Sequence, residues 1–157
     1  MTTDGWTALL RDSVDAFNRY RESHPDEAVS LFEADLSWMN LAHVHLEGAD
    51  LRRCLMEGCD LTGARLDGAR MDHANLRSAK LPGASLRCVT FQSGVFQGAD
   101  LRNAALQRAS LKRVVFCDAD LTGAVFTGAD LAEADLRWAT YVLDDLADAD
   151  LSSARIR

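Results

Sequence analysis

The chain of 157 residues lacks most of the features that mark a functional class. No run approaches the roughly 20 consecutive apolar residues that a membrane span needs, so no membrane partner is expected. The N-terminus, MTTDGWTALLRDSVDAF, carries acids early and has no basic segment ahead of an apolar core, so it does not read as a secretory signal. The four cysteines, Cys54, Cys59, Cys88 and Cys117, show no CxxC spacing and no His-rich company, which points to a reduced, cytoplasmic protein. Lys and Arg number 17 against 24 acids, a net charge of −7. Direct binding to nucleic acid needs clustered bases and is not expected.

Signs of catalysis are also missing. No Ser-His-Asp set, phosphate loop or dinucleotide fingerprint is recognisable. His43 and His45 flank Val44 and should diverge onto adjacent faces, without further ligands at plausible spacing for a metal. Cys54 and Cys59 read as small packed hydrophobes. Cys88 and Cys117 read as outward, with no activating His identifiable nearby. The expectation is therefore no enzyme, no metal and no cofactor.

What the chain does have is a period of five. From Leu31 to Ile156 every fifth residue is large and apolar: of 26 such positions 18 are Leu, four Phe and two Met, with Tyr141 and Ile156 completing the set. Two residues before each, 17 of the 26 are Ala. Five is neither the period of a flat strand nor that of a helix. A large and a small apolar residue two apart point to the same side of a short extended segment, and the residue between them points out. A turn must follow within each block, and glycines such as Gly48, Gly63 and Gly123 sit two after a central position, where a tight turn uses them. Four such segments closing a square give a 20-residue coil, and coils stack about 4.8 Å apart.

The blocks ADLTG, ADLAE, ANLRS and ADLRN resemble the pentapeptide-repeat family, whose consensus is A-(D/N)-L-x-x, over residues 29–157. The resemblance implies an all-β solenoid, a right-handed quadrilateral β-helix of 6.5 coils, on the order of 30 Å long. Residues 1–28 do not repeat. Trp6, Leu9, Leu10, Val14, Phe17 and Tyr20 recur at mostly three or four residues, which predicts an N-terminal amphipathic capping helix, started by Thr3 or Asp4 and ended before Pro25. Its expected task is to cover the open backbone edge of the first coil.

Because residues 20 apart stack on one side, the exterior can be read from sequence. One side carries Trp38, Leu55, Val95, Val115 and Trp138 outside, where the repeat normally places polar residues. Such a stripe marks a protein-interaction face. The competing reading, strongest at Trp38, is that the N-terminal helix folds back over it. Charge is uneven along the axis. Leu51–Arg113 holds 11 bases and five acids, whereas Asp118–Asp150 holds nine acids against Arg137 alone. The acidic patch comprises Asp118, Asp120, Asp130, Glu133, Asp135, Asp144, Asp145, Asp148 and Asp150. Nothing caps the repeat beyond Arg157, so a homodimer stacked through the C-terminal coils is expected, with Tyr141, Val142, Leu143, Leu146, Leu151 and Ile156 at the dimer end.

Two functions follow as expectations. The first is a non-catalytic scaffold that binds a protein partner through its outer faces. The second is implied by the resemblance alone: an acidic DNA-mimic dimer that binds DNA gyrase or topoisomerase IV and protects it from fluoroquinolone or albicidin-like poisons, in resistance or self-immunity. No loop interrupts the repeat here as loops do in the plasmid-borne resistance proteins, and the basic middle mimics DNA poorly.

Overall fold

A computed structural model describes residues 1–156; Arg157, the last residue of the expected repeat region, lies outside the described residues. From Val29 to Thr140 the chain winds as a four-sided coil. Each side pairs in parallel with the residue 20 further on, as Ser30 with Asp50, Leu55 with Asn75 and Asp120 with Thr140. All 22 successive corners from Glu33 to Trp138 place the residue two after the central one at φ between 54° and 70°. The amide of the following residue closes the turn on the central carbonyl, as Ala34 N does on Leu31 O at 2.8 Å. A left-handed residue only at the second turn position is the type II arrangement, which explains the glycines there. The inward positions are sealed: from Leu31 to Leu136 every central residue is buried, with its small partner beneath it at most corners. Each Leu so buried contributes roughly 1.5–3 kcal/mol.

The Asp or Asn that precedes many of the central residues has a structural cause of its own. The turn leaves one amide without a ladder partner, and that side chain accepts from it: Asp60 from Thr62 N at 3.0 Å, Asn75 from Arg77 N at 3.1 Å, Asp120 from Thr122 N at 3.0 Å. Where Ser85 and Thr90 occupy the position instead, Asp67 and Asp72 of the preceding coil take over, accepting from Arg87 N and Gln92 N at 2.8 and 2.9 Å.

Two expectations are corrected. The N-terminal segment is not one helix but two, α1 (Thr3–Asp12) and α2 (Val14–Ser23), broken at Ser13, whose φ of −166° is extended. Ser13 Oγ caps α2 through Ala16 N, and the cap of α1 is Thr2, not Thr3 or Asp4. The break lets Trp6 of α1 pack edge-on against Phe17 and Tyr20 of α2, with ring centroids 5.8 and 5.7 Å apart. The helices also serve the open edge of the first coil. Asn18 donates to His43 O at 3.0 Å and accepts from His45 N at 2.9 Å, Arg21 donates to Glu47 O at 3.1 Å, and Arg11 to Asp35 O at 3.4 Å.

The second correction concerns the unbroken repeat. The square winding stops after Thr140 and resumes near Asp150, with a 3₁₀ helix, Leu143–Leu146, between. Asp144 falls at the small inward position of the interrupted stretch. A carboxylate there would have no partner in an apolar core, and Asp144 lies in solvent instead. Leu146 still reaches the core.

Candidate protein-interaction face

The apolar stripe expected from sequence is assembled by the coil. Leu55, Asn75, Val95, Val115 and Asp135 stack as successive residues of one column. Replacing Asp or Asn by an aliphatic residue has two effects on this Leu55 side. It exposes hydrocarbon, with Leu55 48% accessible. It also removes the cap from the amides of Glu57, Gln97 and Cys117, which have no hydrogen-bond partner among the described residues. Val95 and Val115 are half-buried.

Trp38 and Trp138 occupy the corner beside this column, five coils or about 24 Å apart. They are 72% and 70% exposed, so the N-terminal helices do not cover Trp38. Its indole lies over the next coil's Gly58, where an added Cβ would come within 2.2 Å of the ring; the glycine makes room for the tryptophan. Arg137 lies over the Trp138 ring at 5.1 Å, holding it by a cation–π contact.

The acidic patch is less uniform than the sequence suggested, because bases reach it from neighbouring coils. Lys112 pairs with Asp130 at 3.1 Å, Arg113 binds both oxygens of Glu133, and Arg102 approaches Asp120 at 3.9 Å. Arg137 chelates Asp135 at 2.7 and 2.9 Å and holds its carboxyl down to about 2 against the opposing effect of burial. Asp118, Asp144, Asp145, Asp148 and Asp150 have no ion pair among the described residues. At the expected dimer end Leu146 is core and unavailable to a partner, and Tyr141 is half-buried with its hydroxyl donating to Ile156 O at 3.3 Å. Leu151 is half-buried, leaving Val142, Leu143 and Ile156 exposed.

Of the other sequence candidates, Cys117 is not outward: it is 7% exposed, tucked beside Asp135, which with burial raises its pKa. Burial pushes the Cys54 and Cys59 thiols up to about 12, which makes them inert packing groups. His43 lies over Gly63, while His45 turns toward Glu22 at 3.8 Å. Sequence reasoning missed the uncapped amides. The signal was present, in the three aliphatic residues of this column at a position where Asp or Asn is the commonest choice.

A closed apolar square coil with exposed aromatics defines a class of repeat scaffolds. The family model for pentapeptide repeats matches residues 30–68, 54–92, 69–108 and 109–140, and the chain belongs to the pentapeptide-repeat family. Proteins of this family form right-handed quadrilateral β-helices and are generally non-catalytic scaffolds. Among curated proteins none is significantly similar to this chain. Among solved structures, Rfr23, a pentapeptide repeat protein from the cyanobacterium Cyanothece 51142, is 21% identical with a TM-score of 0.65, covering 80% of this chain and 97% of that one. A pentapeptide repeat protein from the Arabidopsis thaliana thylakoid lumen is 30% identical with a TM-score of 0.61, covering 63% and 69%. The plasmid-mediated fluoroquinolone resistance protein QnrB1 is 18% identical with a TM-score of 0.41, covering 77% and 69%, a likeness that carries no argument about function. No helix among the described residues is long and apolar enough to cross a membrane.

Proposed function

We propose that this chain is a non-catalytic scaffold that binds a protein partner through the Leu55 side. The reading is carried by one observation: Trp38, Leu55 and Trp138 remain largely exposed together on one side of a rod whose other apolar residues are mostly buried. Exposed aromatic and aliphatic residues gathered on one side mark an interface, and tryptophan is enriched among residues that dominate binding energy. The test is affinity capture with the wild-type rod and with a Trp138→Ser, Val115→Asp form of unchanged circular dichroism. Proteins retained by the first and lost by the second support the reading; identical profiles overturn it.

A second reading is a DNA-mimic that engages DNA gyrase or topoisomerase IV, favoured by the five carboxylates toward the C-terminal end that have no ion pair among the described residues. It predicts that the rod preserves gyrase supercoiling in the presence of a fluoroquinolone, and that Asp→Asn changes at Asp144, Asp145 and Asp148 reduce this. Unchanged supercoiling and poison sensitivity at high protein excess would refute it.

A further inference from the structure

We propose that the side of the rod opposite Leu55 carries an oxyanion site that takes a phosphate group. Its donors are the backbone amides of Gln107 and Thr127 and the guanidinium groups of Arg87 and Arg108. The four sides follow one another in chain order, so the side of Ala105 and Val125 lies across the rod from the side of Leu55, and the site does not depend on the reading of that side.

How this chain holds an oxyanion is visible at its own corners. Asp100 accepts from Arg102 N at 3.1 Å, while the Arg102 guanidinium grips both carboxylate oxygens at 2.8 and 2.7 Å. Asp50 with Arg52 and Asp135 with Arg137 repeat the arrangement. One outward amide and one guanidinium fork thus make a carboxylate cradle. At two successive corners the amide stands without its carboxylate. Ala105 and Val125, paired in register on neighbouring coils, fill the position of the aspartate. The amides of Gln107 and Thr127 therefore have no hydrogen-bond partner among the described residues, and they lie one coil spacing apart, about 4.8 Å.

Bases remain around these amides. Arg108 follows Gln107 and has no ion pair among the described residues. Its stem crosses the next coil 3.6 Å from where a Cβ would stand on Gly128, beside Thr127. Arg87, one coil before Gln107, is held only by Ser85 Oγ at 3.1 Å and, loosely, by Asp67 at 3.8 Å. Gln107 Oε1 is buried, so that side chain offers the solvent side no acceptor. Together Arg87, Cys88, Gln107, Arg108 and Thr127 line a recess of about 300 Å³. The nearest acids stand clear of it or are already engaged: Asp67 caps Arg87 N at 2.8 Å, Asp130 pairs with Lys112 at 3.1 Å, and Asp145 and Asp148 lie beyond Thr127 toward the C-terminal end. One carboxylate fills one cradle. Two stacked amides with two guanidinium groups and the Thr127 hydroxyl suit an anion of charge near −2 with three acceptor oxygens, which is the chemistry of phosphate and of phosphate monoesters.

The test is a titration of the isotopically labelled protein with inorganic phosphate, followed by amide resonances. Those of Gln107 and Thr127 should shift saturably, and chloride at equal ionic strength should leave them in place. Ala105→Asp, Val125→Asp restores the residue that the repeat uses elsewhere, so it should keep the circular dichroism of the rod and abolish the response. Arg108→Gln, a surface change, should weaken binding by about tenfold or more. A phosphoserine peptide separates the two sources of the group. Binding roughly tenfold tighter than inorganic phosphate assigns it to a partner chain, and equal or weaker binding assigns it to the free ion. The proposal is overturned if both amides stay in place under both probes, or if the amides of Arg70 and Arg77 shift in parallel with them, which is diffuse attraction to bases. It is equally overturned if the folded Ala105→Asp, Val125→Asp form responds as the wild type does.

Discussion

At the scale of single residues, the repeat is enforced by volume. Gly94 stands where Ala is usual, and an added Cβ would come within 2.2–2.6 Å of the Phe91 ring, itself packed 4.4 Å from Phe96. A larger central residue has been matched by a smaller one beneath it. Gly94→Ala should therefore destabilise by about 1–3 kcal/mol, the usual cost of overpacking, and Phe91→Leu should recover most of that loss in the double variant. Urea denaturation of the four forms checks it, and additive losses would refute the pairing. Asp135 offers a titration. Its folded pKa of about 2, set chiefly by the Arg137 hydrogen bonds, lies below the roughly 3.9 of an unfolded aspartate. Its contribution is thus present above about pH 4 and lost as pH falls through the folded value. Stability measured across that window should drop less for Asp135→Asn than for wild type; parallel curves would show that the pair contributes nothing.

The elements differ in how they end. At the N-terminal edge, Asn18 offers a carbonyl and an amide to a backbone that has lost its neighbouring coil, and two short helices hold it there. Toward the other end the ladder is interrupted, and the amides of Gly123 and Phe126 find no partner among the described residues because the chain opposite them has left the square path. If Asp144 causes this, Asp144→Ala should let residues 141–147 return to the coil. Hydrogen exchange at Gly123 and Phe126 should then slow by tenfold or more, the equivalent of about 1.4 kcal/mol, and the melting temperature should rise. Unchanged exchange at both amides would place the cause elsewhere.

For the whole molecule, the solenoid makes a site out of residues a hundred positions apart, because height along the rod and side around it are set independently. Deleting residues 70–89 removes one full coil and keeps Trp38 and Trp138 on the same side. Deleting residues 70–79 removes half a coil and turns them to opposite sides. Both forms should keep a β-rich spectrum, but only the first should retain partner capture through the Leu55 side, read by affinity capture. Equal retention in both would exclude a side-on interface.

Much of this was legible in the chain itself. A strict period of five, with large and small apolar residues two apart, admits little other than a four-cornered coil, so the core, the corners and the membership of each side followed from counting. The same counting gathered Trp38, Leu55, Val95, Val115 and Trp138, since stacking at 20 residues is a property of the repeat. Tertiary structure decided what depends on neighbours from other coils. Lys112 and Arg113 neutralise Asp130 and Glu133 across one turn of the rod, although the sequence from Val114 to Leu136 holds no base. Cys117 is 7% exposed, beside Asp135 of the following coil. The break at Asp144 shows the limit of periodicity: a pattern says which way a side chain should face, but the cost of desolvating a carboxylate decides whether the backbone obeys.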